Sequence, residues 1–322
     1  MSTISAARTA VRRALLYVPG SSQKMLDKSR GLTADCVAYD LEDSVTSNRK
    51  AEARSNIRKF LEQSRADGIK ECAVRINAVG TGNEADDIEA VCNAPYLDTI
   101  VIPKVNSSSD LKWAADFINH KRTFTGHEES VPRQIKILAL IESAKAISNL
   151  REICQTANSQ LDGLIFAAED FALDLSLTRT PSLTEFLYAR SAIATACRAH
   201  DLPSTIDLVC TSYKGDEGRR AMEEECLGGK GLGFNGKQCI HPDQVAIAQK
   251  AFAPSEDEVT WAVRVVIADA KADKQGRGAW TLDGKMIDAP VVGKAESLVS
   301  KAGACGFDVS AVKEKWKGQK PE

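Results

Sequence analysis

Ile137-Leu138-Ala139-Leu140-Ile141-Glu142 and Leu164-Ile165-Phe166-Ala167-Ala168-Glu169-Asp170 are the stretches whose reading decides the fold. Each is an apolar run without alternation, as in a parallel strand buried on both faces, and each keeps its acids for its C-terminal end. Cys36-Val37-Ala38-Tyr39-Asp40-Leu41-Glu42-Asp43 repeats the design. Carboxylates at the edge of an apolar core are costly unless something positive meets them. In an α/β barrel the C-terminal ends of the strands converge on one mouth, where catalytic groups sit. The plainer alternative is that these acids cap the helices that follow.

Outward from these runs, short apolar segments alternate with amphipathic ones eight times. Strands are expected at 14–18, 36–39, 73–76, 99–102, 135–141, 163–167, 204–208 and 233–240, with helices at 49–64, 109–120, 144–158, 183–200 and 217–227. Eight strand–helix repeats predict an α/β chain, a (β/α)8 TIM barrel over residues 12–253, rather than an open doubly wound sheet. A further helix is expected at 242–252. The pattern then changes: residues 254–322 read as a C-terminal helical extension, a lid or an oligomerisation element. It opens with a long helix over 256–274, capped by Ser255 with Glu258 three residues on, and continues through a Gly-rich stretch, 276–284, readable as a hinge. The first 23 residues hold no acid but Arg8, Arg12 and Arg13, a composition that suits a mitochondrial presequence, with 1–11 as a flexible N-terminus.

The chain has 322 residues, 43% hydrophobic and 27% charged, enough to bury a sizeable core. Lys+Arg 42 against Asp+Glu 44 leaves a net charge of −2, so no global field calls for nucleic acid or a membrane surface. Nine cysteines without a CxxC pair read as reduced core residues. Four scattered histidines exclude a clustered zinc site, and many strand-end carboxylates favour a hard, oxygen-seeking ion, Mg²⁺.

Gly231-Leu232-Gly233-Phe234-Asn235-Gly236 matches the dinucleotide fingerprint in letters, but its glycines precede a strand instead of following one, so they read as the turn into the last barrel strand. His241 ends that strand, either as a mouth residue or as a structural one. Arg75 in Val74-Arg75-Ile76-Asn77 and Lys104 in Ile102-Pro103-Lys104 also end apolar runs, suited to an oxyanion or, alternatively, to ion pairs with Glu42 or Asp43.

Arg12–Gly20, Asp40–Val45, Val74–Asn77, Pro103–Val105, Ile141–Ser143, Ala168–Phe171, Leu187–Arg190, Gly236–Pro242 and Gly284–Asp288, in this order, resemble the citrate lyase β-subunit-like family, and within it the citramalyl-CoA lyase branch found in mitochondria. The likeness runs from about residue 12 to about 300. It implies Mg²⁺ held by Glu142 and Asp170, Arg75 at the reacting oxygens, and a homotrimer in which a C-terminal segment carrying Asp288 completes a neighbour's site as general acid. Asp40, Glu42, Asp43 and Glu169 would then support the metal-holding acids, and Arg13, Tyr17 and Lys104 would contact a CoA thioester. Apolar neighbours of Asp288 would desolvate it; read without the likeness, it is an ordinary turn aspartate before Pro290. The polar stretch 119–132 and Thr211-Ser212-Tyr213-Lys214 depart from the family pattern.

The implied chemistry is Mg²⁺-dependent cleavage of a 3-hydroxyacyl-CoA such as citramalyl-CoA to acetyl-CoA and pyruvate, with malate synthase as a side activity. A CoA-independent hydroxy-oxoacid aldolase and a subunit of a larger lyase complex are the alternatives. The likeness leans to a mitochondrial location, with the cytoplasm as the other choice.

Overall fold

The computed structural model describes residues 11–123, 134–156 and 160–322. Most of the N-terminal segment over 1–11, most of the polar stretch over 119–132, and the end of the helix expected at 144–158 lie outside the described residues. The chain divides into two compact units, Arg12–Phe252 and Ala253–Glu322.

The first unit is a closed barrel of eight parallel strands in sequence order: β1 (Ala14–Pro19), β2 (Ala34–Asp40), β3 (Ile69–Arg75), β4 (Thr99–Ile102), β5 (Lys136–Ile141), β6 (Leu161–Phe166), β7 (Ser204–Asp207) and β8 (Gly236–Cys239). Every one overlaps an expected strand. Around them lie α1 (Gln23–Ser29), α2 (Lys50–Glu62), α3 (Glu84–Val91), α4 (Ser108–Thr123), α5 (Ala144–Ser148), α6 (Leu150–Thr156), α7 (Ala168–Leu175), α8 (Leu187–Ala199), α9 (Gly215–Leu232) and α10 (Pro242–Phe252). The barrel closes where β8 pairs with β1, Ala14 opposite Lys237 and Leu16 opposite Cys239. Gly236 is required at this seam, because a Cβ there would stand 1.9 Å from the Arg12 carbonyl oxygen. The glycine motif is thus the turn that it reads as: Gly231 lies within α9, Gly233 ends that helix at φ +101°, and Gly236 opens β8.

Strand alternation fills the barrel in layers. Leu15, Cys36, Ala38, Ala73, Val101, Leu138, Ile165 and Ile206 form the apolar middle. Side chains of the opposite parity, such as Leu16, Val37, Val74 and Ile137, pack outward under the helices. At the N-terminal end of the strands Arg12 plugs the floor, fully buried, donating to both Glu71 oxygens (2.6 and 2.8 Å) and to Ser204 Oγ (2.7 Å) and pairing with Asp162 (2.6 Å).

The second unit holds α11 (Glu256–Asp273), β9 (Trp280–Leu282), β10 (Lys285–Ile287), α12 (Ala289–Ala304) and α13 (Val309–Lys315). Ser255 and Glu258 form the expected capping box. The second half of the Gly-rich stretch, from Trp280, is built into an antiparallel hairpin and is not a free linker. Asp283 (φ +47°) and Gly284 (φ +72°) supply the two left-handed residues that a two-residue hairpin turn needs. Trp280, Leu282 and Ile287 are buried against Ala262, Val265 and Ala295, and this small core fixes the hairpin.

Candidate functional site

At the C-terminal ends of the strands the apolar filling gives way to a cavity of about 930 Å³. Tyr17 of β1, Asp40 of β2, Arg75 of β3, Glu142 after β5 and Gln238 of β8 line it, with Glu169 and Asp170 from α7. The two α7 acids were expected at a strand end. β6 stops at Phe166, however, and they occupy the first turn of the next helix, where Ala167 at the N-cap supplies no side-chain bond.

Arg75 is the most heavily partnered of these groups. Its Nε and Nη2 each donate to an Asp40 oxygen at 2.7 Å, and its Nη1 lies 2.9 Å from Glu42 Oε2. Two of the guanidinium N–H groups donate to Asp40, while Nη1 is ion-paired with Glu42 without a hydrogen bond. The guanidinium sits 4.7 Å above the Tyr17 ring, and the Tyr17 hydroxyl donates to Gln238 Oε1 at 2.9 Å. The ion-pair alternative for Arg75 is therefore realised, and the same side chain still faces the cavity, 13% exposed. Asp40 also accepts the backbone N–H groups of Glu42 and Ser44 and the Ser44 hydroxyl. Burial pushes the Asp40 carboxyl up, but the Arg75 guanidinium and these donors outweigh it and hold the group below its ordinary value.

Lys104 holds its backbone in the left-handed region at φ +52°, which costs a non-glycine residue about 1 kcal/mol or more. From there its N–H donates to Glu142 Oε1 at 2.9 Å and its Nζ to Glu42 Oε1 at 2.8 Å. Asp43 is more exposed, 3.7 Å from both Arg75 and Lys104. Burial raises Glu42 in spite of those two cations. Glu142, 5% exposed, is pushed up to about 8, chiefly by burial and further by the charges of Glu42 and Asp170, against the pull of the Lys104 N–H.

The environment of Glu142 suits a divalent cation: a buried carboxylate short of positive charge shares the cavity with a second acid, Asp170, whose charge it feels. Among the described residues no group of three or more His, Cys, Asp and Glu side chains converges as a complete protein cage. Glu142 and Asp170 would hold Mg²⁺ as a pair, with water and substrate oxygens completing the shell, as that ion prefers.

One expected contact lies elsewhere. Arg13 is at the opposite end of the barrel, paired with Asp35 at the start of β2 (2.9 Å), so it cannot serve the mouth. A charge that precedes a strand sits at the floor, whereas one that follows a strand sits at the mouth; Arg12-Arg13 precede β1. Asp288 belongs to the second unit, half-buried, as the N-cap of α12, its side chain accepting the Val291 N–H at 3.2 Å with Pro290 in the first turn. Of its apolar neighbours only Ile287 is buried; Met286, Ala289 and Pro290 are exposed, so the expected desolvating collar is absent. Unforeseen at the mouth are Lys24 and Lys28, exposed, one turn apart on α1 and both on the cavity rim. Gln238 was unforeseen too; its amide N–H groups donate to the Phe166 and Asp207 carbonyls, so its oxygen is left to Tyr17. His241 lines the rim and stacks on Tyr213, 5.1 Å between centroids.

The HpcH/HpaI aldolase/citrate lyase family pattern matches residues 13–242. Human mitochondrial citramalyl-CoA lyase is 33% identical over 299 residues, 90% of this chain and 85% of that protein. A (3S)-malyl-CoA thioesterase of Cereibacter sphaeroides is also 33% identical, over 91% of this chain and 95% of its own length. Among solved structures, CitE of Mycobacterium tuberculosis in complex with magnesium, acetoacetate and coenzyme A superposes with a TM-score of 0.68 at 28% identity, covering 90% of this chain and 97% of that one.

Proposed function

The chain belongs to the HpcH/HpaI aldolase/citrate lyase family and is a carbon–carbon lyase, and we propose that its substrate is a 3-hydroxyacyl-CoA thioester, (S)-citramalyl-CoA, cleaved to acetyl-CoA and pyruvate. The observation that carries this reading is one cavity that gathers Arg75, Glu142 and Asp170 at its base and Lys24 and Lys28 at its rim. A base with two acids and a guanidinium suits a hydroxy-carboxylate. A rim with two exposed ammonium groups suits the phosphates of CoA.

Mg²⁺ held by Glu142 and Asp170 would neutralise the substrate carboxylate and lower the pKa of the adjacent hydroxyl. Transfer of the hydroxyl proton to solvent water turns that carbon into a ketone and breaks the bond to the methylene next to the thioester. The electron pair moves into the thioester as an enolate. Arg75, which borders the cavity, meets the oxygen on which that charge gathers. Its fixed partners Asp40 and Glu42 hold it in place before substrate arrives, so little reorganisation is needed. The enolate carbon then takes a proton, for which Asp288 of a neighbouring subunit is the proposed donor in a homotrimer. Run in reverse with glyoxylate in place of pyruvate and followed by hydrolysis of the thioester by water, the same site would make malate and free CoA; the thioesterase relative supports this side activity. The mitochondrial relative supports the same compartment here.

The test is the purified chain alone with (S)-citramalyl-CoA, Mg²⁺ and a thiol reagent to detect free CoA. Acetyl-CoA and pyruvate in equal amounts, without free CoA and abolished by chelation, are expected. Cleavage of free hydroxy-oxoacids at a higher kcat/KM than any CoA thioester would overturn the reading in favour of a CoA-independent aldolase. For Asp288, mixing inactive Asp288→Asn with inactive Glu142→Ala subunits is expected to restore partial activity. Failure in assemblies shown to be mixed would remove it from a neighbour's site.

A further inference from the structure

Arg179 lies in the segment between α7 and α8 and is used by none of the chemistry above. Its Nη1 is 2.5 Å from Glu169 Oε1, on the helical turn that carries Asp170. Its Nη2 donates to the Val209 carbonyl at 3.0 Å, just past β7, and to Glu225 Oε1 at 2.8 Å. The other oxygen of Glu225 accepts from Lys237 Nζ at 2.9 Å, and the Lys237 side chain is 0% exposed, between β8 and α9. Four charges of alternating sign therefore run from the buried layer outside the barrel to the rim of the cavity.

The first turn of α7 needs such a tether. Ala167 at its N-cap offers no side chain to its free N–H groups, so the usual local lock on a helix start is missing. Farther along, Asp174 accepts the Ala144 N–H at 2.8 Å, which ties the helix to the loop that follows Glu142. Phe171 packs edge-on against Phe166 and Phe186, which fixes the axis. Neither contact fixes the opening turn. The Glu169 end of the chain is half in water and by itself worth little, but Arg179 is 15% exposed, Glu225 14% and Lys237 0%, so the anchor is buried and costly to break.

We propose that Arg179 is a positioning residue for Asp170: by clasping Glu169 and binding it to Val209 and to the buried Glu225–Lys237 pair, it holds the opening turn of α7 in the geometry that presents Asp170 to a divalent cation. Groups behind the direct ligands of a metal commonly change its affinity in this way. The inference rests on the assignment of Asp170 as a metal-holding acid.

The test is Mn²⁺ binding to the full chain without substrate, by calorimetry or by the loss of the free-ion electron spin resonance signal. Folding is monitored by circular dichroism. Asp170→Asn is expected to weaken binding most. Arg179→Met is expected to weaken it by roughly tenfold or more, as for other groups that orient ligands, with Arg179→Lys intermediate. Glu169→Gln is expected to match Arg179→Met, and the double variant to be no worse than either single one, because both break the same clasp. Arg179→Met that binds Mn²⁺ within about twofold of the parent while Asp170→Asn does not would overturn the inference, even if the variant melts earlier; twofold is well inside the tenfold expected of an orienting group. If Arg179→Met does not fold, Glu169→Gln decides in the same way, since it leaves the buried pair intact. If Asp170→Asn itself binds normally, the metal assignment falls and the clasp falls with it.

Discussion

The barrel holds a buried arginine at each end, and the two do opposite work. Arg12 at the floor is 0% exposed, with Glu71, Asp162 and Ser204 closing round it. Arg75 at the mouth has three ion-pair acids of its own, yet it borders open space and hydrogen-bonds only Asp40 among them. A charge closed in by its partners contributes only to the fold. One that borders a cavity is a binding device. The surroundings follow the same division: Glu71 is held below its ordinary value, because the pull of Arg12 outweighs burial, while Glu142 is pushed up to about 8 by burial with nothing cationic beside it except Lys104.

Substitutions sharpen this contrast, the largest effect first. Arg12→Met strands the Glu71 carboxylate in the core and is expected to cost about 3–5 kcal/mol of stability, read by denaturant titration, with the folded fraction still active. Loss of activity at full stability would break the comparison. Arg75→Ala should lower both: kcat of the folded enzyme falls by about 10²–10³, as for a lost oxyanion donor, and the melting temperature drops too, because buried Asp40 loses its guanidinium partner. Arg75→Lys should not restore the rate, since one ammonium cannot bind Asp40 at two oxygens and still face substrate. A raised KM at unchanged kcat would show that Arg75 only binds. Lys24→Ala and Lys28→Ala are each expected to raise KM for the CoA thioester by up to about tenfold, the loss of one charge-assisted contact, at nearly constant kcat.

The smallest effect concerns acid. The Glu71 carboxylate has its pKa lowered from 4.5 in the folded chain, so its stabilising contribution is complete above the ordinary range and is lost as pH falls through the folded value. Glu71→Gln should therefore be less stable than the parent at neutral pH, with a gap that narrows as pH drops below about 4.5. A gap of constant size in denaturant titrations at both pH values would show that packing, not charge, is what Glu71 contributes.

How far the sequence reveals all this depends on what each segment must satisfy. A parallel strand buried on both faces is mostly apolar, so strands such as β2, β5 and β6 show as continuous runs and a polar residue that ends one is conspicuous. Asp40, Arg75 and Glu142 are legible for that reason. By contrast, β7 and β8 carry buried Ser204, Asp207, Lys237 and Gln238 and are legible mainly from their place in the repeat. The three helices that escaped notice, α1, α3 and α7, have 7 or 8 residues each, too few for a 3.6-residue period to register. Lys24 and Lys28 are hidden with the first of them, and the third accounts for the placing of Glu169 and Asp170 on a strand end. Gln238 is concealed by the glycine motif before it and by being neutral. The hairpin at Asp283-Gly284 carried its signal openly, a turn dipeptide between two short apolar segments, and a reading that counted glycines as flexibility passed over it.

The seam at Gly236 also sets a schedule. Ala14 pairs with Lys237, so the first strand of the barrel meets its second neighbour only after more than two hundred further residues exist. On a ribosome that adds about 5–20 residues per second, β1 waits roughly 10–45 s with one edge unpaired. An open edge of Leu15, Leu16 and Val18 is a template for the wrong strand, and Arg12 cannot be seated until Asp162 and Ser204 have been made. A nascent chain halted before β8 thus carries both an adhesive edge and an unplugged floor, so the vulnerable period in the life of this protein is its synthesis.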